Sequence, residues 1–307
     1  MLAVAKHLRD QQPSSVSQPC PIVQVKQGGG AVPFYWIEPD LDGLKLGQLI
    51  TSNHPIYAVE ILWPSAWYEL AAKNETKGLP TLEQIVAPYV AAIKAHTHFS
   101  RCVLGGHSFG GVMAFEAARQ LALLNIRVET IFLFDAAAAY PSSHEAAWRK
   151  LKEIWSLAAN AQTTRSTTGR LTSSLWILSW LFGFKWRGLG RLITGTLSRS
   201  PGRLTTRLDD MGKPITWPRI QYVYDTAMNS YPLSQLDCRG VLFRAESRQD
   251  STGSRSLDVH LGWDGLFGKG LEIVSVPGDH MSMLRQPHAD VLAREMSAIL
   301  SRTTAEP

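Results

Sequence analysis

Cys102-Val103-Leu104-Gly105-Gly106-His107-Ser108-Phe109-Gly110-Gly111-Val112-Met113-Ala114-Phe115 is the stretch on which the fold turns. An apolar run enters a Gly-x-Ser-x-Gly turn without a gap, and an alanine-rich segment of helical character continues from it to Leu124. A serine hydroxyl attacks an acyl group only when a base takes its proton and its oxygen projects from the backbone. Gly106 and Gly110 carry no Cβ, so strand and helix can approach closely around a sharp elbow. Ser108, at the tip of that elbow, is the candidate nucleophile.

The base is expected on a loop after the last strand, because in this architecture the order along the chain is Ser, acid, His. His280 fits: it follows the apolar run 271–276 through a Pro277-Gly278-Asp279 turn. The other histidines read differently. His107 should direct its ring elsewhere, His288 opens a helix, and His96 and His98 close one. The acid must orient the imidazole and stabilise its cation. Asp135 ends the strand that follows the nucleophile helix, which puts it at the sheet's carboxyl edge beside Ser108. A competing location is the next strand end, where Glu246 and Asp250 follow 240–244. Asp279 adjoins His280 in sequence and would face its ring with difficulty, so it reads as a turn residue.

Working outward, apolar runs at 32–37, 56–62, 128–134, 240–244 and 271–276 are strands of the buried, parallel type. Helical patterns alternate with them. One starts at Thr81, where Gln84 three residues on completes a capping box, and ends between His96 and Phe99; another runs over 288–300. This alternation predicts an α/β fold with a mostly parallel, doubly wound sheet. Residues 1–31, with an amphipathic stretch at 2–9, a polar run and Gly28-Gly29-Gly30, read as a leader and linker. From about 142 to 232 no comparable strand appears, and helical stretches at 145–158, 171–184 and 218–228 read as an insertion above the sheet. The catalytic domain is thus expected over 32–303.

The 307 residues, 45% of them hydrophobic, can support one sizeable core with an added subdomain. Cys20, Cys102 and Cys238 are odd in number and lack metal-ligand spacing, so neither a disulfide framework nor a zinc site is expected, and a reducing cytoplasm is the default. The first residues contain no continuous apolar segment of the export type. The longest apolar patch, 175–184, falls well short of the roughly 20 residues that cross a bilayer. The net charge of +5 is concentrated: Arg165, Arg170, Lys185, Arg187, Arg191, Arg199, Arg203 and Arg207 fall between Ala161 and Arg207 with no acid among them. Such a block attracts an acidic protein or an anionic membrane surface, or is simply a solvated face. No nucleic-acid partner is expected.

Leu104-Gly105-Gly106-His107-Ser108-Phe109-Gly110-Gly111 with its helix, Phe134-Asp135, Leu261-Gly262-Trp263 and Val276-Pro277-Gly278-Asp279-His280 resemble the type I thioesterase domains that terminate nonribosomal peptide and polyketide synthetases. The likeness runs from about Pro21 to Arg302. It implies an α/β-hydrolase fold with a helical lid, Ser108 as nucleophile, His280 as base and Asp135 as acid. It also implies a substrate: an acyl or peptidyl chain on the phosphopantetheine of a carrier protein, passed to the serine and released by water or by its own nucleophile. No metal or redox cofactor is implied. The chain contains no carrier-type attachment motif, so the carrier is expected elsewhere. Backbone N–H groups of Phe109 and Asp40 would form the oxyanion hole.

One departure from the family stands out. Where a His-Gly or His-Pro pair commonly follows the first core strand, this chain has Ile37-Glu38-Pro39-Asp40-Leu41-Asp42-Gly43. Three carboxylates there would oppose a developing oxyanion unless they point away. In the insertion, Trp176, Trp180, Phe182, Phe184 and Trp186 would line an acyl pocket, meet a membrane interface beside the basic residues, or pack among the lid helices. A basic lid also suits an acidic carrier. Two other functions fit the same sequence: a lipase or esterase acting on oxygen esters at a membrane, and a catalytically impaired binding module on a hydrolase fold.

Overall fold

The computed structural model describes residues 21–29, 32–138, 207–247 and 258–303. Their centre is a seven-stranded sheet in the order β1-β3-β2-β4-β5-β8-β9. Its members are β1 (Ile22–Lys26), β2 (Phe34–Ile37), β3 (Ile56–Val59), β4 (Arg101–His107), β5 (Arg127–Phe134), β8 (Arg239–Ala245) and β9 (Leu271–Val276). Only β1 runs antiparallel to its neighbour. A short hairpin, β6 (Arg207–Leu208) and β7 (Pro214–Ile215), stands apart. The helices are α1 (Leu41–Leu49), α2 (Ser65–Ala72), α3 (Leu82–His96), α4 (Phe109–Leu123), α5 (Trp217–Asn229) and α6 (His288–Thr303).

All four residues of β2 are buried, and they alternate between two cores, as side chains of a strand covered on both faces must. Phe34 and Trp36 join Leu46 of α1 and Leu292, Met296 and Leu300 of α6. Tyr35 and Ile37 join Ile85, Val86 and Tyr89 of α3, Val112 and Phe115 of α4, and Ile220 and Val223 of α5. The expected doubly wound α/β sheet is therefore present. Thr81 and Gln84 make the reciprocal capping-box bonds at the start of α3, at 3.4 and 3.0 Å.

Three readings need correction. Ile22–Lys26, assigned to the linker, is an edge strand: Ile22 is buried, and the strand's backbone pairs with β3. The segment after Ile37, where no helix is expected from the sequence, enters α1 at Leu41, with Asp40 capping it through a 2.8 Å bond from Gly43 N–H. Its glycines hid the helix but let it lie close to the sheet. A Cβ on Gly47 would come within 2.9 Å of Val25, and one on Gly43 within 3.2 Å of the Trp36 ring. Finally, the chain divides into one unit of residues 1–140 and 206–307 and another of 141–205. The hairpin and α5, placed in the insertion by sequence, thus belong with the sheet-bearing unit, because Ile215, Ile220 and Val223 are buried in its core.

The leader before Pro21, the stretches 145–158 and 171–184, the five lid aromatics, the basic block except Arg207, Cys20 and Asp250 lie outside the described residues. Cys102 and Cys238 are free and buried. Among the described residues no helix is long and apolar enough to cross a membrane.

Candidate active site

β4 pairs with β5 as far as His107 opposite Phe134, and the chain then turns abruptly. Ser108 has φ 55° and ψ −124°, a left-handed backbone that costs a residue with a Cβ about 1–2 kcal/mol. The turn is held by Ser108 N–H donating to Phe134 O at 3.0 Å, and α4 starts at the next residue. Its glycines are obligatory. A Cβ on Gly106 would sit 2.1 Å from the backbone of Gly110, one on Gly110 would sit 2.9 Å from Ile37 O, and one on Gly111 would sit 2.5 Å from Ala136 Cβ. The half-buried Ser108 is thereby raised at the carboxyl edge of the sheet.

Asp135 follows β5 on the adjacent strand, also with positive φ, 46°, and with no exposed surface. Its N–H donates to Phe243 O at 2.8 Å. Its Oδ1 accepts from Ala245 N–H at 3.1 Å, and its Oδ2 lies 2.7 Å from His280 Nδ1. A carboxylate fixed by one backbone donor presents its other oxygen to the imidazole and sets the ring's tautomer. The Leu261-Gly262-Trp263 stretch braces the turn beyond Asp135. Trp263 Nε1 donates to Ala136 O at 2.8 Å, and Ala138 N–H donates to Leu261 O at 2.9 Å. The competing Glu246 is exposed.

His280 follows β9 and its turn, with about a third of its side chain accessible. Asp279 is the turn residue its position implies: its Oδ1 accepts from Met281 N–H at 2.9 Å and Ser282 N–H at 2.7 Å. Those bonds, Ser282's first, hold its carboxyl below the usual range. His107, which sequence reasoning set aside, is part of this arrangement. Its Nε2 is 2.8 Å from His280 O, and the two rings face each other tilted by 31°, with centroids 4.7 Å apart. The only sequence signal was its place beside Ser108. His96 and His288 stay where they were read: His96 Nδ1 meets Tyr35 OH at 3.0 Å, and His288 opens α6.

Each of the three acidic side chains after Ile37 meets a hydrogen-bond donor. Glu38 Oε1 accepts from Tyr89 OH and, at 3.4 Å, from Ile61 N–H. Asp40 spends its carboxylate on Gly43 N–H. Burial pushes the Asp40 carboxyl up, and the bond from Gly43 opposes that shift. Asp42 pairs with Arg285. Glu38, Asp40 and Asp42 thus each accept from at least one donor. Glu38, with φ 52°, is the third residue of left-handed backbone to end a parallel strand here.

Comparison with known proteins shows what the chain resembles. The thioesterase-domain family model matches residues 62–161. A non-reducing polyketide synthase of Nectria sp is 25% identical over 291 residues, 92% of this chain and 12% of that protein. A protein of Paxillus involutus named as an inactive atromentin synthetase is 27% identical over 122 residues, 38% of this chain and 12% of that protein. The chain therefore spans about 12% of the length of these curated relatives. The Vlm2 thioesterase domain, solved with a bound dodecadepsipeptide, superposes with a TM-score of 0.50 at 19% identity, over 94% of this chain and 99% of that one. At that identity the likeness shows the fold alone. In family, relatives and fold, the chain is similar to the thioesterase domains of polyketide and nonribosomal peptide synthetases, as its motifs imply.

Proposed function

We propose that the chain is a serine thioesterase that takes an acyl or peptidyl chain from the phosphopantetheine thioester of a carrier protein and releases it through an acyl-enzyme on Ser108. The observation that carries this reading is the Asp135 carboxylate, buried, bonded to Ala245 N–H and 2.7 Å from His280 Nδ1, on the strand beside the Ser108 elbow. With Nδ1 donating to Asp135, Nε2 of His280 is the ring's acceptor and takes the Ser108 proton as Oγ attacks the thioester carbonyl. The Phe109 and Asp40 N–H groups hold the oxygen that becomes negative. Phe109 begins α4, where the first N–H groups have no partner within the helix. The carbon–sulfur bond then breaks, and the thiolate leaves with the proton from His280. Water or a nucleophile of the bound chain, deprotonated by His280, attacks the ester and frees Ser108. No step needs a metal.

The experiment sets the protein against an acylated carrier protein and against micellar oxygen esters of the same acyl group. Release from the carrier that disappears in Ser108→Ala is the expected result. Turnover of the micellar esters alone would move the assignment to a lipase. No turnover of either, as the name of the inactive relative allows, would leave a binding module.

A further inference from the structure

The loop that carries the second oxyanion donor lacks the family's usual dipeptide, and the residues around Glu38 supply a different means of holding it. Glu38 directly follows β2 and adopts φ 52°, so the chain reverses there before Pro39 and Asp40. Its N–H is tied to Val59 O at 3.0 Å. Its carboxylate accepts from Tyr89 OH, and Tyr89 OH accepts from Trp63 Nε1 at 3.0 Å. Tyr89, in α3, is fully buried, and Trp63 is 1% exposed. Trp63 meets the Tyr224 ring of α5 edge-on at 5.0 Å, and Tyr224 stacks on Phe109 at 3.8 Å.

Phe109, Tyr224, Trp63, Tyr89 and Glu38 therefore form one contiguous chain of contacts. Its ends are the two residues that border the proposed oxyanion hole. We infer that Glu38, Tyr89 and Trp63 are positioning residues that hold the Asp40 N–H in register with that of Phe109. The inference rests on the serine thioesterase reading for its catalytic consequence. A buried network in which each donor has an acceptor is rigid, and it fixes its members more firmly than the same groups would be fixed in water. Rigidity matters because an oxyanion donor works only when it is already aimed at where the charge will form. The network also explains why a carboxylate is tolerated at this position: it is an acceptor for Tyr89, drawn away from the reacting oxygen.

The test uses the full chain with Tyr89→Phe, Glu38→Ala and Glu38→Gln, read in two ways. Amide hydrogen exchange follows residue 38, whose N–H is held by Val59 O, in the free protein. Turnover of an acyl-N-acetylcysteamine thioester is normalised to the fraction of Ser108 labelled by a fluorophosphonate. In Tyr89→Phe and Glu38→Ala, exchange of the residue 38 amide should quicken about tenfold. The kcat per labelled site should fall about tenfold with KM unchanged, since small misplacements of a positioned group cost rate and not binding. Glu38→Gln, which still accepts from Tyr89, should restore both. Unchanged exchange of that amide in Tyr89→Phe and Glu38→Ala overturns the inference, as does unchanged kcat per labelled site. Should the wild type neither label nor turn over while the loop still loosens, the positioning network stands and the thioesterase reading fails.

Discussion

The two edges of the sheet contrast sharply. At the carboxyl edge, three adjacent parallel strands, β2, β4 and β5, each end in a residue other than glycine with φ near 50°: Glu38, Ser108 and Asp135. At the opposite edge, no residue that opens these strands has a positive φ, although Asn125 (φ 59°) leads into β5 and the β4–β5 register shifts between Cys102 and Val103. The side chains there make ordinary surface pairs, such as Arg101 with Glu129 at 2.8 Å and Arg302 with Glu272 at 3.3 Å. Strained backbone persists only where the surroundings over-determine it. Here the surroundings are specific hydrogen bonds: Phe134 O for Ser108, Phe243 O for Asp135 and Val59 O for Glu38. One edge stores conformational free energy in a site, and the other only solvates the fold.

The strongest challenge to that contrast is Gly106→Ala. Its Cβ would overlap the Gly110 backbone at 2.1 Å, and neither β4 nor α4 can retreat from a packed core. We expect loss of more than about 4 kcal/mol and little folded protein, measured by thermal melting and yield. Asp135→Asn should leave the melting temperature nearly unchanged. It should lower kcat by about three to four orders of magnitude, because the amide presents the wrong partner to His280 Nδ1. A loss of less than tenfold would remove Asp135 from the mechanism.

His54, in the segment leading into β3, sharpens the comparison through pH. It is 1% exposed, and neither ring nitrogen has a hydrogen-bond partner among the described residues. Burial, with a lesser contribution from the Lys26 charge, lowers its pKa from 6.5 to about 4. Between those values the unfolded chain binds a proton that the folded chain refuses, so stability is full above pH 6.5 and falls as pH drops toward 4. The loss should be on the order of 3 kcal/mol. In His54→Leu, melting curves across that window should be flatter, and the neutral-pH activity should match wild type.

His107→Ala deletes the contact with His280 O while leaving Asp135 in place. It should lower kcat about tenfold without a matching loss of stability. The smallest effect belongs to Arg101→Ala, at the opposite edge. Breaking its half-exposed pair with Glu129 should change stability by no more than about 0.5 kcal/mol and leave the turnover rate alone.

What the sequence reveals follows the same division. The turn at Ser108, its glycines, α4 and β5 are legible because a Gly-x-Ser-x-Gly turn between strand and helix allows few alternatives in type or spacing. The places of Asp135 and His280 after β5 and β9 are legible because apolar runs announce both strands. α1 was not, since Gly43 and Gly47 are helix-unfavourable locally and are present for close packing against Trp36 and Val25. β1 was masked by its polar neighbours. His107 and the path from Glu38 through Tyr89 to Trp63 join residues far apart in the chain, and no local pattern announces such contacts. The three carboxylates after Ile37 looked adverse for the same reason: their donors, Tyr89, Ile61, Gly43 and Arg285, come mostly from elsewhere in the chain.

The most direct test of the central claim is the mass of the protein during turnover. With a slowly deacylated N-acetylcysteamine thioester, the intact chain should gain one acyl group, mapped by proteolysis to the peptide that holds Ser108. The adduct should vanish in Ser108→Ala and form far more slowly in Asp135→Asn. No adduct on the wild type, or one that persists in Ser108→Ala, would contradict the account.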